Sequence, residues 1–419
     1  MAVTAPRIVM ASSRSSLAAP SPYPMTPSEP SLRSLLDLSK QDIGALVAEM
    51  GEAPYRTRQL WRALYHELRQ SFDDMTSLSL RFREALKQRF ALSPLEQVYY
   101  IASRDGTTDK ALFRLPDGEL IETVLMRYAP DGHRKMRRTV CVSTQAGCAL
   151  GCTFCATGQQ GFRRQLSVGE IVSQVMFMER LARTEDENQM EDGRRPQGAR
   201  PGVTNVVFMG MGEPLANYDN TLNSIRTLND EQGLHLGARH ITVSTVGLVP
   251  QILKFADEDL QTNLAVSLHA ADNATRSETM PVNRQYPIEQ LLDACKTYIE
   301  KTNRRIFFEY VLLHGQNDSI HQADTLGRRL KDMLCHVNLI PVNPTTDGPF
   351  QRPARAFRTA FQEQLREYGV PSTIRMEKGI DINAGCGQLR ARAVGAEDAD
   401  ERGAPASPCQ VVSSASNHT

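Results

Sequence analysis

From Thr139 to Tyr368 the chain alternates short apolar runs with stretches whose apolar residues recur at helical spacing. The runs Thr139–Thr144, Val203–Met209, His240–Thr245, Asn263–His269, Arg305–Leu313 and His336–Val342 are short and rich in β-branched and aromatic residues, which predicts strands. Between and after them, Val168–Arg183, Tyr218–Gln232, Pro250–Asp257, Pro287–Lys301, Ile320–Leu334 and Pro353–Tyr368 predict helices. Several of these begin at a proline, which is favoured in the first helical turn. Successive strand–helix units imply a parallel sheet with right-handed crossovers. Six units fall short of the eight that close a TIM barrel. The expected fold is therefore α/β, a partial, open, TIM-like (β/α)6 barrel.

Upstream the pattern differs. Leu36–Leu92 carries helical spacing, including Thr57-Arg-Gln-Leu-Trp-Arg-Ala-Leu-Tyr65. Trp61, the only tryptophan, is expected in the core of this unit and not as a base-stacking platform. Val98–Ala102, Lys110–Leu115 and Leu120–Met126 predict strands joined by the turn signals Asp105-Gly and Asp117-Gly. Thr184–Gly202, polar and rich in Gly, Pro and Arg, is expected as a surface insertion. The organisation expected is a disordered extension (1–35), a helical accessory domain (36–95), a β-hairpin linker region (96–138), the barrel with a C-terminal cysteine loop (139–392) and a disordered tail (393–419). The Ala-, Ser- and Pro-rich start, with no acid before Glu29, is also compatible with a transit peptide.

Composition narrows the function classes. Lys+Arg and Asp+Glu both number 48 in 419 residues, so any nucleic-acid contact must use local basic patches. No apolar run approaches the ~20 residues of a membrane helix, and no membrane contact is expected. Four of the eight cysteines fall between Cys141 and Cys155. That clustering suits metal or catalytic use in a reducing compartment better than a disulfide framework.

Parallel α/β folds place their sites at the carboxyl ends of the strands. Cys148-Ala-Leu-Gly-Cys152-Thr-Phe-Cys155 follows the first predicted strand, Met209-Gly-Met-Gly-Glu-Pro214 the second, Ser244 ends the third, Ser267-Leu268-His269 ends the fourth, and Asn343 follows the sixth. Three thiolates at C-x3-C-x2-C spacing are ligands for an iron–sulfur cluster and would leave one iron of a cubane open. The alternative is a structural zinc knot completed by Cys141 or a histidine, although zinc sites usually show paired C-x2-C spacing. In Met209–Pro214 the small Gly212 admits a close ligand and Glu213 is an acceptor for an ammonium group; a plain βα turn has the same composition. Cys386, in Asn383-Ala-Gly-Cys-Gly-Gln-Leu389, is expected to be a mobile nucleophilic or redox thiol. Cys295 and Cys335 are expected in the core, and Cys409 in the tail. Cys141 either faces the cluster's cavity or is a buried strand cysteine.

The three-cysteine motif resembles that of radical S-adenosylmethionine (SAM) enzymes, in which SAM chelates the open iron of one [4Fe-4S] cluster. From about Leu36 to Arg392 the chain is further similar to the RlmN family of RNA adenosine C2-methyltransferases. The motifs are Cys141-Val-Ser-Thr-Gln-Ala-Gly-Cys148, the cysteine run, Met209–Leu215, Ser267–His269, Leu339-Ile-Pro-Val-Asn-Pro344 and Asp381–Leu389. The resemblance implies that Cys148, Cys152 and Cys155 hold the cluster. It also implies that Gly212, Glu213, Ser244, Ser267, Leu268, His269 and Asn343 bind SAM; Ser244, Ser267 and Asn343 could equally be caps or turn residues.

It implies that Cys386 carries a methyl group taken from one SAM, that a second SAM yields the radical that activates it, that Glu122 removes the C2 proton, and that Cys141 releases the product by forming a disulfide. The implied substrates are 23S rRNA and tRNA, with a flavodoxin-type electron donor and a monomer in the cytoplasm. His133-Arg-Lys-Met-Arg-Arg138, Arg163, Arg164, Arg390 and Arg392 are the local basic clusters expected to meet phosphates. The related C8 methyltransferases share the cluster and both cysteines; the overall motif match and the helical N-terminal unit favour C2.

Overall fold

A serine starts the folded chain's first helix. Ser39 Oγ accepts from the Asp42 N–H at 3.1 Å while the Asp42 carboxylate accepts from the Ser39 N–H at 3.0 Å, a capping box for α1 (Lys40–Glu49). With α2 (Tyr55–Tyr65) and α3 (Leu80–Lys87) it forms the N-terminal unit, closed by the parallel pairing of β1 (Arg33–Ser34) with β2 (Phe90–Ala91). The computed structural model describes residues 32–130, 135–191, 201–343 and 349–389. The expected disorder and transit peptide of the extension, the tail with Cys409, and His133, Arg134, Arg390 and Arg392 therefore lie outside the described residues, apart from residues 32–35. Those are ordered: Arg33 and Ser34 pair with β2, and Leu35 is fully buried.

The unit is docked on the barrel by shared core and by specific bonds. Trp61 is buried, and its indole N–H donates to Asp230 at 3.1 Å. Lys40 reaches the same carboxylate at 2.8 Å, and Asp37 accepts from the Gly169 N–H at 2.8 Å. Trp61 is thus a core residue, as its pattern predicted.

Three antiparallel strands follow: β3 (Glu96–Ala102), β4 (Thr108–Arg114) and β5 (Leu120–Tyr128). Their sheet continues through β6 (Arg137–Cys141), so the hairpin region extends the barrel sheet directly. A small antiparallel pair, β7 (Gln145–Gly147) and β8 (Phe162–Gln165), frames the cysteine loop and the one-turn α4 (Ala156–Gln159). Then α5 (Val168–Glu191), β9 (Asn205–Phe208), α6 (Tyr218–Asn229), β10 (Ile241–Thr245), α7 (Val249–Phe255), β11 (Asn263–Ser267), α8 (Asn273–Thr279), α9 (Ile288–Thr302), β12 (Ile306–Leu312), α10 (Ile320–Leu330), β13 (Cys335–Pro341), α11 (Arg355–Glu367) and β14 (Ser372–Ile374) alternate.

The sheet order is β14-β13-β12-β11-β10-β9-β6-β5-β4-β3, parallel from β14 to β6. All six predicted parallel strands are present. β14 adds a seventh, too short to stand out in the sequence. Cys295 and Cys335 are buried.

One expectation fails in part. Thr184–Gly202 was expected as a polar surface insertion, yet α5 runs through it to Glu191, and residues 192–200 lie outside the described residues. Buried charge explains the helix. Arg138, 2% exposed, makes a bidentate pair with Asp186 at 2.7 Å on both arms, and Arg127 is clamped between Asp109 and Glu185. Arg138 is therefore unavailable to phosphate, contrary to the basic-cluster expectation. Removing one partner of such a pair strands a charge, whereas replacing both with apolar groups does not. Asp186→Leu is expected to cost about 3–5 kcal/mol in urea denaturation, and Arg138→Met/Asp186→Leu to recover most of it.

Candidate active site

The parallel strands end on one cavity of ≈ 210 Å³. Its wall takes Val207–Met209 from the end of β9, Ser244–Val246 from β10, Ser267 and His269 from β11, Glu309 and Val311 from β12, and Ile340–Asn343 from β13. Cys148, Cys152 and Cys155 line it from the loop between β7 and α4, and Cys141 lines it from the last position of β6. Cys386 closes it from the opposite end of the chain.

The two cysteine loops are stitched together. The Ala156 N–H donates to the Gly387 carbonyl at 2.8 Å, and Thr157 Oγ1 donates to the Leu389 carbonyl at 2.7 Å. Asn343 Nδ2 donates to the Cys386 carbonyl at 3.2 Å. A Cβ on Gly385 would lie 2.6 Å from Asn343 Nδ2, so this close approach requires glycine. Among the described cysteines only Cys386 is exposed. It sits in a concave wall, surrounded by protein although water reaches it, and burial raises its thiol pKa while Arg375 opposes that shift. Burial pushes the Cys141 thiol up to about 12, with a further contribution from Cys386.

Cys148 is pushed up to about 11 and Cys152 well above the ordinary thiol range, both chiefly by burial. Among the described residues no three His, Cys, Asp or Glu side chains are placed to hold a single metal ion. The three thiols instead border a shared space, an arrangement compatible with a polynuclear cluster whose ligands stand around it. Soft sulfur donors on one short loop fit an iron–sulfur group. Arg276 supplies positive charge nearby: fully buried, it acts on Cys152 and donates to the Val246, Ser267 and Leu268 carbonyls at 2.7, 3.2 and 3.1 Å.

Glu213 is buried, and burial lifts its carboxyl to about 7. The Val246 N–H at 2.8 Å and the Leu215 N–H at 3.0 Å bond its two oxygens and oppose that shift. Gly212 has φ +97°, and a Cβ there would meet Gln145 at 2.5 Å, so glycine is needed for both conformation and space. Ser244 and Ser267 are half-buried on the wall. His269, at φ 56°, accepts from the Val311 N–H through Nδ1 at 2.9 Å, and burial lowers its pKa to about 3, so it is neutral.

Two expected residues stand off the cavity wall. Leu268 lies behind it, 1% exposed, its N–H bonded to the Glu309 carbonyl at 3.0 Å. Glu122, on β5, is paired with Lys110 at 2.9 Å, two positions before the Val124 that pairs with Cys141. Arg375 and Glu309, which pair at 3.5 Å on the wall beside Cys141 and Cys386, were missed. The available signal was a glutamate inside the apolar run Ile306-Phe-Phe-Glu-Tyr-Val-Leu312. Of the expected basic clusters, Arg164 is paired with Asp117 and Glu170, whereas Lys135, Arg137 and Arg163 are exposed.

A three-cysteine loop at the carboxyl rim of a parallel half-barrel defines a radical SAM core, and residues 142–324 match the Radical SAM superfamily. Members of that class use a [4Fe-4S] cluster and SAM. Residues 33–92 match the ribosomal RNA large subunit methyltransferase N-terminal domain. The chain is 47% identical over 360 residues to the dual-specificity RNA methyltransferase RlmN 1 of Myxococcus xanthus, covering 85% of this chain and 94% of that one. It is 49% identical over 367 residues to the probable RlmN of Chloroflexus aurantiacus, covering 86% and 93%. A crystal structure of a radical SAM methyltransferase from Sphaerobacter thermophilus superposes with a TM-score of 0.78 at 46% identity, covering 86% of this chain and all of that one. The chain belongs to the RlmN family of dual-specificity RNA methyltransferases.

Glu213 makes stability depend on pH. Its carboxyl binds a proton more tightly folded (about 7) than at its ordinary value of 4.5, so the stabilisation is complete below pH 4.5 and is lost as pH rises through 7. The loss is of order 3 kcal/mol. In urea denaturation of the metal-free protein, Glu213→Gln should flatten the decline between those pH values.

Proposed function

We propose that the chain methylates C2 of an adenosine in 23S rRNA near the peptidyl-transferase centre, and C2 of the adenosine 3′ of the anticodon in some tRNAs. One observation carries this reading: Cys141, Cys386 and the three-cysteine loop line a single cavity, with the Cys386 loop bonded to the cluster loop. The names of the relatives support the two RNA classes. C2 lies between two ring nitrogens and is electron-poor, so it will not attack an electrophilic methyl group, and a radical route is needed.

When bound, the cluster and SAM supply both an electrophilic methyl group and a hydrogen-abstracting carbon radical. Cys148, Cys152 and Cys155 would hold the cluster, with Gly212, Glu213, Ser244, Ser267, His269 and Asn343 around SAM and Leu268 packed behind. Cys386, exposed on its loop, accepts the methyl group on sulfur and presents it to the cavity. The S-methyl group gives up one hydrogen atom to the radical that SAM would supply, and its carbon joins C2; the unpaired electron left on the ring would return to the cluster as Glu122 takes the C2 proton. Cys141 then attacks the Cys386 sulfur; an S–S bond forms, the S–C bond breaks, and the methyl carbon keeps the electron pair and gains a proton. Arg375 faces both sulfurs and favours their thiolates. Lys110 bonds Glu122 at 2.9 Å and the Asn383 carbonyl at 3.3 Å, linking the base to the Cys386 loop. The reading takes the protein as a cytoplasmic monomer reduced by a flavodoxin-type donor.

The deciding experiment is nucleoside analysis of large-subunit rRNA from a strain lacking the gene. Loss of 2-methyladenosine is expected; loss of 8-methyladenosine with 2-methyladenosine retained would overturn the C2 assignment. Cys386→Ala should fail to gain the protein-bound methyl group by intact mass spectrometry. Cys141→Ala should gain it and accumulate a protein–RNA adduct, visible as a shifted band on a denaturing gel.

A further inference from the structure

The outer rim of the cavity carries a second feature, apart from the cluster and SAM walls. Tyr128, the last residue of β5, lines the cavity together with Met376 and Lys378 from the segment after β14. Arg137, the first residue of β6, stacks on the Tyr128 ring at 4.1 Å, and Lys378 Nζ stands 5.0 Å from the centre of the same ring. Met376 is 77% exposed. Two cations from distant parts of the chain thus meet on one aromatic ring, beside an exposed apolar side chain.

These two cations differ from their neighbours. Arg138 and Arg127 are engaged by Asp186, Asp109 and Glu185, and Arg164 by Asp117 and Glu170. Arg375 pairs with Glu309 and Arg352 with Glu377. Among the described residues Arg137 and Lys378 form no ion pair, although Lys378 stands near Asp105. A cation on an aromatic face is held in place while its N–H groups stay free. The cavity behind holds Glu213, Glu309 and the thiols, and Arg375 there is paired with Glu309, so among the described lining residues the lysine or arginine without an ion pair is Lys378 at the rim.

We propose that Arg137 and Lys378, braced on Tyr128, hold the backbone phosphates flanking the target adenosine, with Met376 as the apolar surface against which the extruded nucleotide packs. An adenosine splayed from its stack brings its flanking phosphates to the mouth of the receiving cavity. A chain of zero net charge needs such a local grip. The proposal rests on RNA being the substrate and on no particular fate of the methyl group.

The test uses the reconstituted full-length enzyme and an unmodified tRNA transcript, with binding titrated between about 50 and 200 mM KCl. Arg137→Ala and Lys378→Ala should each lower the log–log salt slope by about 0.7–0.9, and the double variant by the sum. KM for RNA should rise while kcat, iron content and SAM affinity stay at wild-type values. Tyr128→Phe keeps the ring and should behave as wild type; Tyr128→Leu should lose part of the slope. A double variant with wild-type slope and KM would overturn the proposal, as would a fall in kcat at unchanged KM. Failure of the wild-type enzyme to bind or methylate the transcript would instead count against the RNA reading itself.

Discussion

The bonds between the cysteine loop and the Cys386 loop are the constraint on which the rest of the site depends. Thr157 and Leu389 are 232 residues apart, yet a 2.7 Å hydrogen bond joins them. A radical route tolerates little slack, because the group that is activated must lie beside the place where the radical forms. The barrel meets this requirement by parking its first and last functional loops on the same rim. Asn343, at the end of β13, ties down the Cys386 carbonyl, and Gly385 makes room for that amide. Cys386 itself remains exposed to the cavity, as its proposed role of accepting and surrendering a carbon requires.

Burial gives this arrangement its electrostatic character. The low-dielectric wall favours the neutral forms of Cys141, Cys148 and Glu213, as their raised pKa values show. In the proposed reaction each becomes or meets an ion, so each depends on a counter-charge. Arg276 acts on Cys152 from a position with no solvent exposure, and its bonds to three strand-end carbonyls also brace the wall. Arg375 acts on both Cys141 and Cys386, while Glu309 holds its guanidinium at the wall.

What was legible in the sequence was what is local. The cysteine loop is eight residues long, and each of the six parallel strands is an apolar run, so pattern alone exposes them. The family resemblance then linked motifs whose proximity no periodicity could show. What was missed depends on tertiary pairing. Arg138 read as part of an exposed basic run because its acid, Asp186, lies 48 residues downstream in a segment that looked like a loop. β14 has three residues and no pattern of its own, so Arg375 beyond it carried no signal. Glu309 was detectable in principle: a carboxylate inside a fully apolar parallel strand must have a partner or a function. Leu268, one position beyond β11, is buried behind the wall that Ser267 and His269 line.

Glu122 shows how sheet register couples these parts. β5 is antiparallel to both β4 and β6, and Val124 opposite Cys141 fixes the position of Glu122 two residues further along. Its carboxylate is held by Lys110, which also bonds the Asn383 carbonyl three residues before Cys386. The strand that holds Glu122 and the loop that holds Cys386 therefore share one ammonium group. Displacing the loop must either break the Lys110–Asn383 bond or draw Lys110 away from Glu122. In the proposed reaction, Lys110 therefore couples the position of the Cys386 loop to the setting of Glu122 before any RNA arrives.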